Sequence, residues 1–142
     1  MDTLVVDSSV VIKWFVPEPY STEARRIPKT YQTGSLTLLA PDLLYAEVGN
    51  IVWKKHRIQD ITADEARTII EEFQGLLFEV TSSADLLEDA YRIAATQQRT
   101  VYDALYIALS VQEHCQCVTA DEKLVNAVKN AYPNVIWLAD WV

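Results

Sequence analysis

The sequence alternates between short apolar runs rich in branched residues and longer stretches with the spacing of amphipathic helices. This alternation predicts an α/β fold with a mainly parallel sheet. Five runs have the length and composition of strands, near residues 3–6, 36–39, 76–80, 117–119 and 135–138. Helices are predicted near residues 9–15, 21–32, 41–56, 63–74, 83–97, 101–114 and 122–131.

Prolines and capping residues set several of these predicted boundaries. Pro17 ends the first helix, because proline cannot continue a helix from that position, and Pro28 predicts a kink in the second. Pro41 suits the first position of the third helix. Thr62 and Glu65 have the spacing of a capping box. Further helix caps are predicted at Ser21, Ser83 and Thr100.

Length and composition predict one globular domain over residues 1–142. Half of the 142 side chains are hydrophobic, enough to bury a sizeable core. No apolar run reaches the roughly 20 residues of a bilayer span, and the first residues lack the pattern of a signal peptide. We therefore expect a cytoplasmic protein that does not enter a membrane. The chain has only two cysteines, Cys115 and Cys117, which argues against a disulfide framework or a zinc site.

The chain carries 20 acidic and 12 basic side chains, a net charge of −8. That sign opposes general binding to phosphate backbones. Any role with nucleic acid must therefore explain the excess of acid.

Four acidic residues are candidates for a shared site. Asp7 follows the apolar run LVV and Asp121 follows CVTA, so each stands at the C-terminal end of a predicted strand. Ligands of open parallel sheets bind outside those ends. Glu47 lies about two turns into the helix after the second strand, and Asp103 lies in the first turn of the helix opened by Thr100. Both can face the same crevice.

Carboxylates gathered in one crevice repel one another unless cations neutralise them. Ligand sets made only of oxygen suit the hard ions Mg²⁺ and Mn²⁺. Such an ion lowers the pKa of a bound water and stabilises the charge that develops on a phosphodiester under attack. The four acids therefore indicate a metal-dependent phosphodiesterase.

A plainer structural explanation exists for three of the four acids. Asp7 and Asp121 can cap the helices that follow them, and Asp103 is the third helical residue after Thr100. Glu47 resists this explanation, because apolar neighbours surround it and no lysine or arginine precedes it at helical spacing.

Other polar residues near the acids are turn or capping candidates that can also orient a metal-bound water. These supporting residues are Ser8, Asn50 and Thr119. The basic run WKKHR, residues 53–57, suits either a nucleic-acid surface or a solvated helix end. His56 and His114 stand at predicted helix C-termini, where a structural role is favoured over catalysis.

Four strings of the sequence together resemble the PIN-domain ribonucleases, most closely the VapC-type toxins of prokaryotic toxin–antitoxin pairs. The strings are VVDSSVVIKWF, LLAPDLLYAEVGNIVWK, TVYDALYIALS and VTADEKLVNAV. The resemblance covers nearly the whole chain. It implies a three-layer α/β/α sandwich around a parallel five-stranded sheet of order 3-2-1-4-5.

The resemblance also implies a function and a set of site residues. Asp7, Glu47, Asp103 and Asp121 match the family's metal-binding and catalytic acids, and Ser8, Asn50 and Thr119 match positions that often support the site. An endoribonuclease acting on RNA with Mg²⁺ or Mn²⁺ is implied. Further implied partners are a cognate antitoxin with a basic tail and a second copy of the chain in a homodimer. Glu122 departs from relatives, which often carry a basic or neutral residue there.

Two other functions are compatible with parts of this sequence. A catalytically silent PIN-like module could use the acidic crevice only to hold a basic partner peptide, in keeping with the net charge of −8. A nucleotide-binding Rossmann-like protein is set aside, because DSSVVI, not a glycine-rich turn, follows the first strand.

Overall fold

The computed structural model describes residues 2–141. Within that range, parallel strands form a single sheet in the order β3-β2-β1-β4-β5. The implied strand order is therefore confirmed. The strands are β1 Asp2–Val6, β2 Leu36–Pro41, β3 Glu79–Thr81, β4 Gln116–Thr119 and β5 Val135–Trp137.

Helices connect the strands and cover both faces of the sheet. They are α1 Ser8–Val11, α2 Ser21–Ala24, α3 Arg26–Gln32, α4 Leu43–Arg57, α5 Ala63–Gln74, α6 Ser83–Gln97, α7 Val101–Gln112 and α8 Glu122–Val128. Short 3-10 turns follow α1 at Ile12–Trp14 and β5 at Leu138–Asp140. No helix of the described range is both long and apolar enough to cross a membrane.

Alternation along the central strand divides the core into two layers. Leu4 and Val6 pack with the helices α1 to α5, whereas Val5 packs with α6, α7 and α8. Successive side chains of a strand point to opposite faces, so an unbroken apolar run such as LVV has to be covered on both sides. The result is the three-layer α/β/α sandwich that the resemblance implied.

Helix α7 is the most deeply enclosed helix near the acidic residues. Every residue from 104 to 110 is buried, so this helix faces protein on nearly all sides. Its sequence, VYDALYIALSVQ, is apolar all round, as expected of a helix inside a core. Asp103 lies at the beginning of this enclosed segment and is held in place by it.

The predicted second helix is broken in two, at Arg25 and not at Pro28. Proline lacks an N–H group, so Pro28 leaves the carbonyl of Ala24, four residues earlier, without its helical partner. The indole Nε1–H of Trp14 donates to that carbonyl at 2.8 Å. The helical hydrogen bond that Pro28 removes is therefore lost one turn upstream, at Ala24, and the helix breaks near that position.

The third strand and its neighbourhood differ from the prediction. Strand β3 covers Glu79–Thr81 and not residues 76–80, because it pairs only with residues 39–41 of β2. Pro41 is the last residue of β2 and not the first of a helix, which begins at Leu43. Proline is tolerated at such a strand end, where no ladder N–H is needed.

Two predicted caps are also wrong. Ser82 and not Ser83 caps α6, and Ser83 instead donates from its N–H and hydroxyl to Asp42. Ser21 is the first residue of α2, and its hydroxyl accepts from the Glu18 N–H and donates to the Val16 carbonyl. The capping box of Thr62 and the cap at Thr100 are confirmed. Helices α7 and α8 end two and three residues earlier than predicted.

Candidate active site

Asp7 stands where β1 ends, and its carboxylate is the N-cap of α1. It accepts hydrogen bonds from the N–H of Ser9, at 3.0 Å, and from the hydroxyl of the same residue. Desolvation raises the pKa of Asp7 from 3.8 to about 6. Hydrogen bonds from Ser9 and Thr119 lower it, and the charges of Asp103 and Glu47 raise it. Asp7 is therefore a poorly hydrated carboxylate close to two others.

Glu47 projects from α4 and is held by a tyrosine of α7. The hydroxyl of Tyr106 donates to Glu47 Oε1 at 2.6 Å across 59 positions of sequence. Tyr106 is only 4% exposed. Desolvation and the adjacent Glu47 carboxylate raise the pKa of Tyr106 well above its usual range, so the phenol stays protonated and remains a donor. Ser8 also forms a side-chain hydrogen bond with Tyr106.

Asp103 lies in the first turn of α7, where its N–H donates to Thr100 Oγ1 at 3.1 Å. Desolvation raises the pKa of the Asp103 carboxyl, the Arg99 charge lowers it and the Asp121 charge raises it. Arg99 Nη2 lies 3.9 Å from Asp103 Oδ2. The backbone of Asp103 is thus part of a helix cap, whereas its carboxylate faces the other acids and one arginine.

Asp121 follows β4 and caps α8, accepting from the Leu124 N–H at 3.1 Å. Its own N–H donates to the hydroxyl oxygen of Thr119 at 3.1 Å. Asp121 is the most exposed of the four acids. Thr119, by contrast, is fully buried and contacts both Asp7 and Asp121. A single threonine therefore links the ends of two neighbouring strands.

The structure brings together all four predicted acids, but it places the supporting residues unequally. Ser8 and Thr119 form hydrogen bonds within the cluster, whereas Asn50 lies exposed one turn beyond Glu47 on α4. Two contributors were missed by the sequence reasoning, Ser9 and Tyr106. Ser9 accepts from the Ala120 N–H at 3.0 Å in addition to holding Asp7. Tyr106 could have been found from its position one helical turn after Asp103.

Charge coupling runs through the whole set, from Glu47 to Asp7, from Asp7 to Asp103 and from Asp103 to Asp121. The donors are carboxylate and hydroxyl oxygens, the chemistry that Mg²⁺ and Mn²⁺ prefer. No three acidic, histidine or cysteine side chains within residues 2–141 form a ready ligand set for one ion. Magnesium needs no such cage, because it is usually held by one or two carboxylates and retains several waters. The residues therefore fit a hydrated divalent ion.

The fold and the site together define a class of protein, an α/β/α sandwich with coupled carboxylates at the C-terminal edge of a parallel sheet. Residues 4–130 match the family model described as the PIN domain. The chain belongs to the PIN-domain family.

One relative of this chain is a VapC protein, and several solved structures share its fold. The chain is 37% identical over 125 residues to Ribonuclease VapC3 of Pyrobaculum aerophilum, covering 85% of this chain and 91% of that protein. Among solved structures, PAE2754 of Pyrobaculum aerophilum superposes with a TM-score of 0.65 at 21% identity, covering 98% of this chain and 93% of that one. VapC20 of Mycobacterium tuberculosis, described as a Sarcin-Ricin loop cleaving toxin, superposes with a TM-score of 0.63 at 15% identity, covering 93% of this chain and 98% of that one. VapBC2 of Rickettsia felis, bound to a promoter DNA fragment, superposes with a TM-score of 0.61 at 15% identity, covering 95% of this chain and 96% of that one.

Proposed function

We propose that this protein is a metal-dependent endoribonuclease that hydrolyses RNA phosphodiester bonds as the toxin of a toxin–antitoxin pair. The observation that carries the proposal is the gathering of Asp7, Glu47, Asp103 and Asp121 at one edge of the sheet, where their charges act on one another. The 37% identity to a protein named a ribonuclease supports the substrate class. The whole chain, residues 1–142, is proposed to act as one nuclease domain.

Asp7, Glu47 and Asp103 would hold a hydrated Mg²⁺ or Mn²⁺ ion, either directly or through its bound waters, with Asp121 beside them. When bound, such an ion lowers the pKa of its water and stabilises charge on the phosphodiester. The protein contributes orientation, because the Tyr106 hydroxyl fixes one oxygen of Glu47. Preorganised donors of this kind hold a site in productive geometry.

The acidic crevice also bears on the proposed partners. A basic tail of a cognate antitoxin would neutralise the carboxylates, and a net charge of −8 favours approach by such a segment. We further propose that the protein works in the cytoplasm and as a homodimer. Exposed aromatic residues such as Trp53 and Tyr91 offer apolar area for an interface between copies.

The test is cleavage of labelled, structured RNA by purified protein free of antitoxin, with Mn²⁺ present. Asp7→Asn and Asp103→Asn should each lose at least 100-fold in rate, on the order expected when a ligand of a catalytic ion is removed. Asp2→Asn, at the exposed start of β1, is the matched control and should cut like the parent. Equal rates in all four proteins would reject the proposal.

A second candidate function has two observations in its favour. Glu47 and Asp103 already have partners in Tyr106 and Arg99, and no ready ligand set for an ion is present in residues 2–141. These features also suit a catalytically silent module that binds a basic peptide. Calorimetric titration with Mn²⁺ separates the two functions. A nuclease gives a binding signal that Asp7→Asn abolishes, and a silent module gives none.

A further inference from the structure

Arg99 occupies a short, fixed connection between two packed helices at the edge of the acidic site. Gln98, in the left-handed conformation at φ 54°, ends α6, and the N–H of Arg99 donates to the Ala94 carbonyl at 3.2 Å. The next residue, Thr100, caps α7. Both neighbours of Arg99 are thus committed to helix ends, so its backbone has little freedom to move.

The guanidinium of Arg99 carries more N–H donors than the neighbouring protein groups can accept. Its Nη2 lies 3.9 Å from Asp103 Oδ2, close enough for charge attraction but beyond hydrogen-bond distance. Its Nε is shielded from solvent and has no hydrogen-bond partner within residues 2–141. Buried donors in folded proteins nearly always find an acceptor, so this exception shows that the protein alone does not saturate the guanidinium of Arg99, whose side chain is still 27% exposed to a ligand. The shape of the guanidinium indicates which ligand, because its donors form a rigid fork that matches carboxylates and phosphates.

Phosphate is the ligand that the surroundings favour. Of the ion pairs within the described range, only the one between Arg99 and Asp103 involves any of the four site acids. Four carboxylates repel an approaching polyanion such as RNA. A single arginine at their edge offers a positive charge that attracts one of its phosphates. The carboxylate of Asp103 does not saturate this arginine, so its fork retains free donors.

We propose that Arg99 binds a non-bridging oxygen of an RNA phosphate at the acidic crevice. This inference rests on the proposed nuclease function and adds a substrate-binding residue to it. The competing role is purely local, in which Arg99 neutralises Asp103 and never contacts RNA. The two roles differ in what happens once Asp103 has lost its charge. In a protein that carries Asp103→Asn, a contact between Arg99 and phosphate still contributes to binding. If Arg99 only neutralises Asp103, it contributes nothing there.

The experiment is a binding titration that follows the anisotropy of a fluorescein-labelled single-stranded RNA in MgCl₂ at low KCl. All proteins carry Asp7→Asn so that the RNA stays intact, and cleavage by the parent is measured separately. Arg99→Gln should weaken binding about 10-fold, as expected for loss of a charged hydrogen bond. The slope of log affinity against log KCl should become shallower by about 0.7, the value for one phosphate contact on a single strand.

Two further variants make the result specific to the position and the shape of the side chain. Arg92→Gln is the matched control, because Arg92 is exposed on α6 and pairs with Asp89 at 2.7 Å, and it should leave affinity within about two-fold. Arg99→Lys keeps the charge without the fork and should recover only part of the loss. Circular dichroism melting of each variant verifies that the proteins compared are folded.

The decisive comparison repeats Arg99→Gln in protein that also carries Asp103→Asn. A loss of about 10-fold in this background supports the phosphate contact, by the logic of a double-mutant cycle. Unchanged affinity there, with a parent that cleaves RNA, overturns the role of Arg99 and leaves the nuclease proposal standing. A parent that neither cleaves nor binds RNA overturns the nuclease proposal, and this inference with it.

Discussion

Replacing Asp7 by asparagine should abolish activity and yet stabilise the metal-free protein at neutral pH. Desolvation raises the pKa of Asp7 from 3.8 to about 6. Between those values the folded protein binds more protons than the unfolded chain, so the free energy of unfolding falls as pH rises. Above about pH 6 the ionised carboxylate destabilises the fold to its full extent.

The magnitude follows from the difference between the two pKa values. The rise of the Asp7 pKa from 3.8 to about 6 corresponds to a loss of about 3 kcal/mol in the free energy of unfolding once the carboxyl is ionised. Asparagine cannot ionise, and its amide oxygen can still accept from the N–H of Ser9. We therefore expect Asp7→Asn to gain about 2 kcal/mol, or roughly 5 °C or more in Tm for a domain of this size.

The assay is thermal unfolding in EDTA, followed by circular dichroism from pH 4 to pH 8. The gain should be absent near pH 4, appear between pH 4 and pH 6, and then stay constant. The exposed Asp2→Asn control should show no such profile. Adding MgCl₂ should raise the Tm of the parent but not that of Asp7→Asn, because ligands stabilise the state they bind. A variant that is less stable than the parent at neutral pH, or a gain independent of pH, would refute the reasoning.

Three other substitutions test contacts that position the site or hold the fold. Tyr106→Phe keeps the ring but removes the donor to Glu47, so unfolding in urea should show a loss of about 1 to 2 kcal/mol and RNA cleavage should slow; full activity would argue that Glu47 needs no orientation. Trp14→Phe frees the Ala24 carbonyl and should lower stability by about 1 kcal/mol in the same assay, whereas the exposed Trp53→Phe should not; equal effects would exclude the proposed role of the indole N–H. Thr62→Ala breaks the capping box of α5 and should cost about 1 kcal/mol, measured against Thr68→Ala on the exposed face of the same helix, and a smaller loss in Thr62→Ala than in Thr68→Ala would contradict this.

The sequence placed two of the acids at the edge of the sheet because the apolar runs of β1 and β4 end next to them. Asp7 and Asp121 directly follow apolar runs, and in a parallel sheet the ends of neighbouring strands meet at one edge. The structural explanation also holds, since both carboxylates do cap helices. Capping and membership of the acidic site are compatible, because the helix N–H groups bond to Oδ1 of each carboxylate and the cap does not use the second oxygen.

The position of Tyr106 one turn after Asp103 is visible in the sequence, but its contact with Glu47 is not. Glu47 resisted a local explanation because its partner, Tyr106, is 59 positions away and meets it only when α4 and α7 pack on the sheet. The error at β3 has the same origin, because strand limits are set by the partner strand and not by the apolar run alone. Leu77, within the predicted strand, is 76% exposed. Local patterns fix the kind of element, and tertiary packing fixes its ends.

The enclosure of α7 has a consequence for how this protein could change over time or by design. Asp103 and Tyr106 are carried by a helix whose following residues, 104–110, are all buried. Most substitutions along that helix would disturb packing in the core and the position of two site residues together. Variation that alters specificity without cost to the fold is therefore expected elsewhere, on the exposed face of α4 around Asn50 and Trp53.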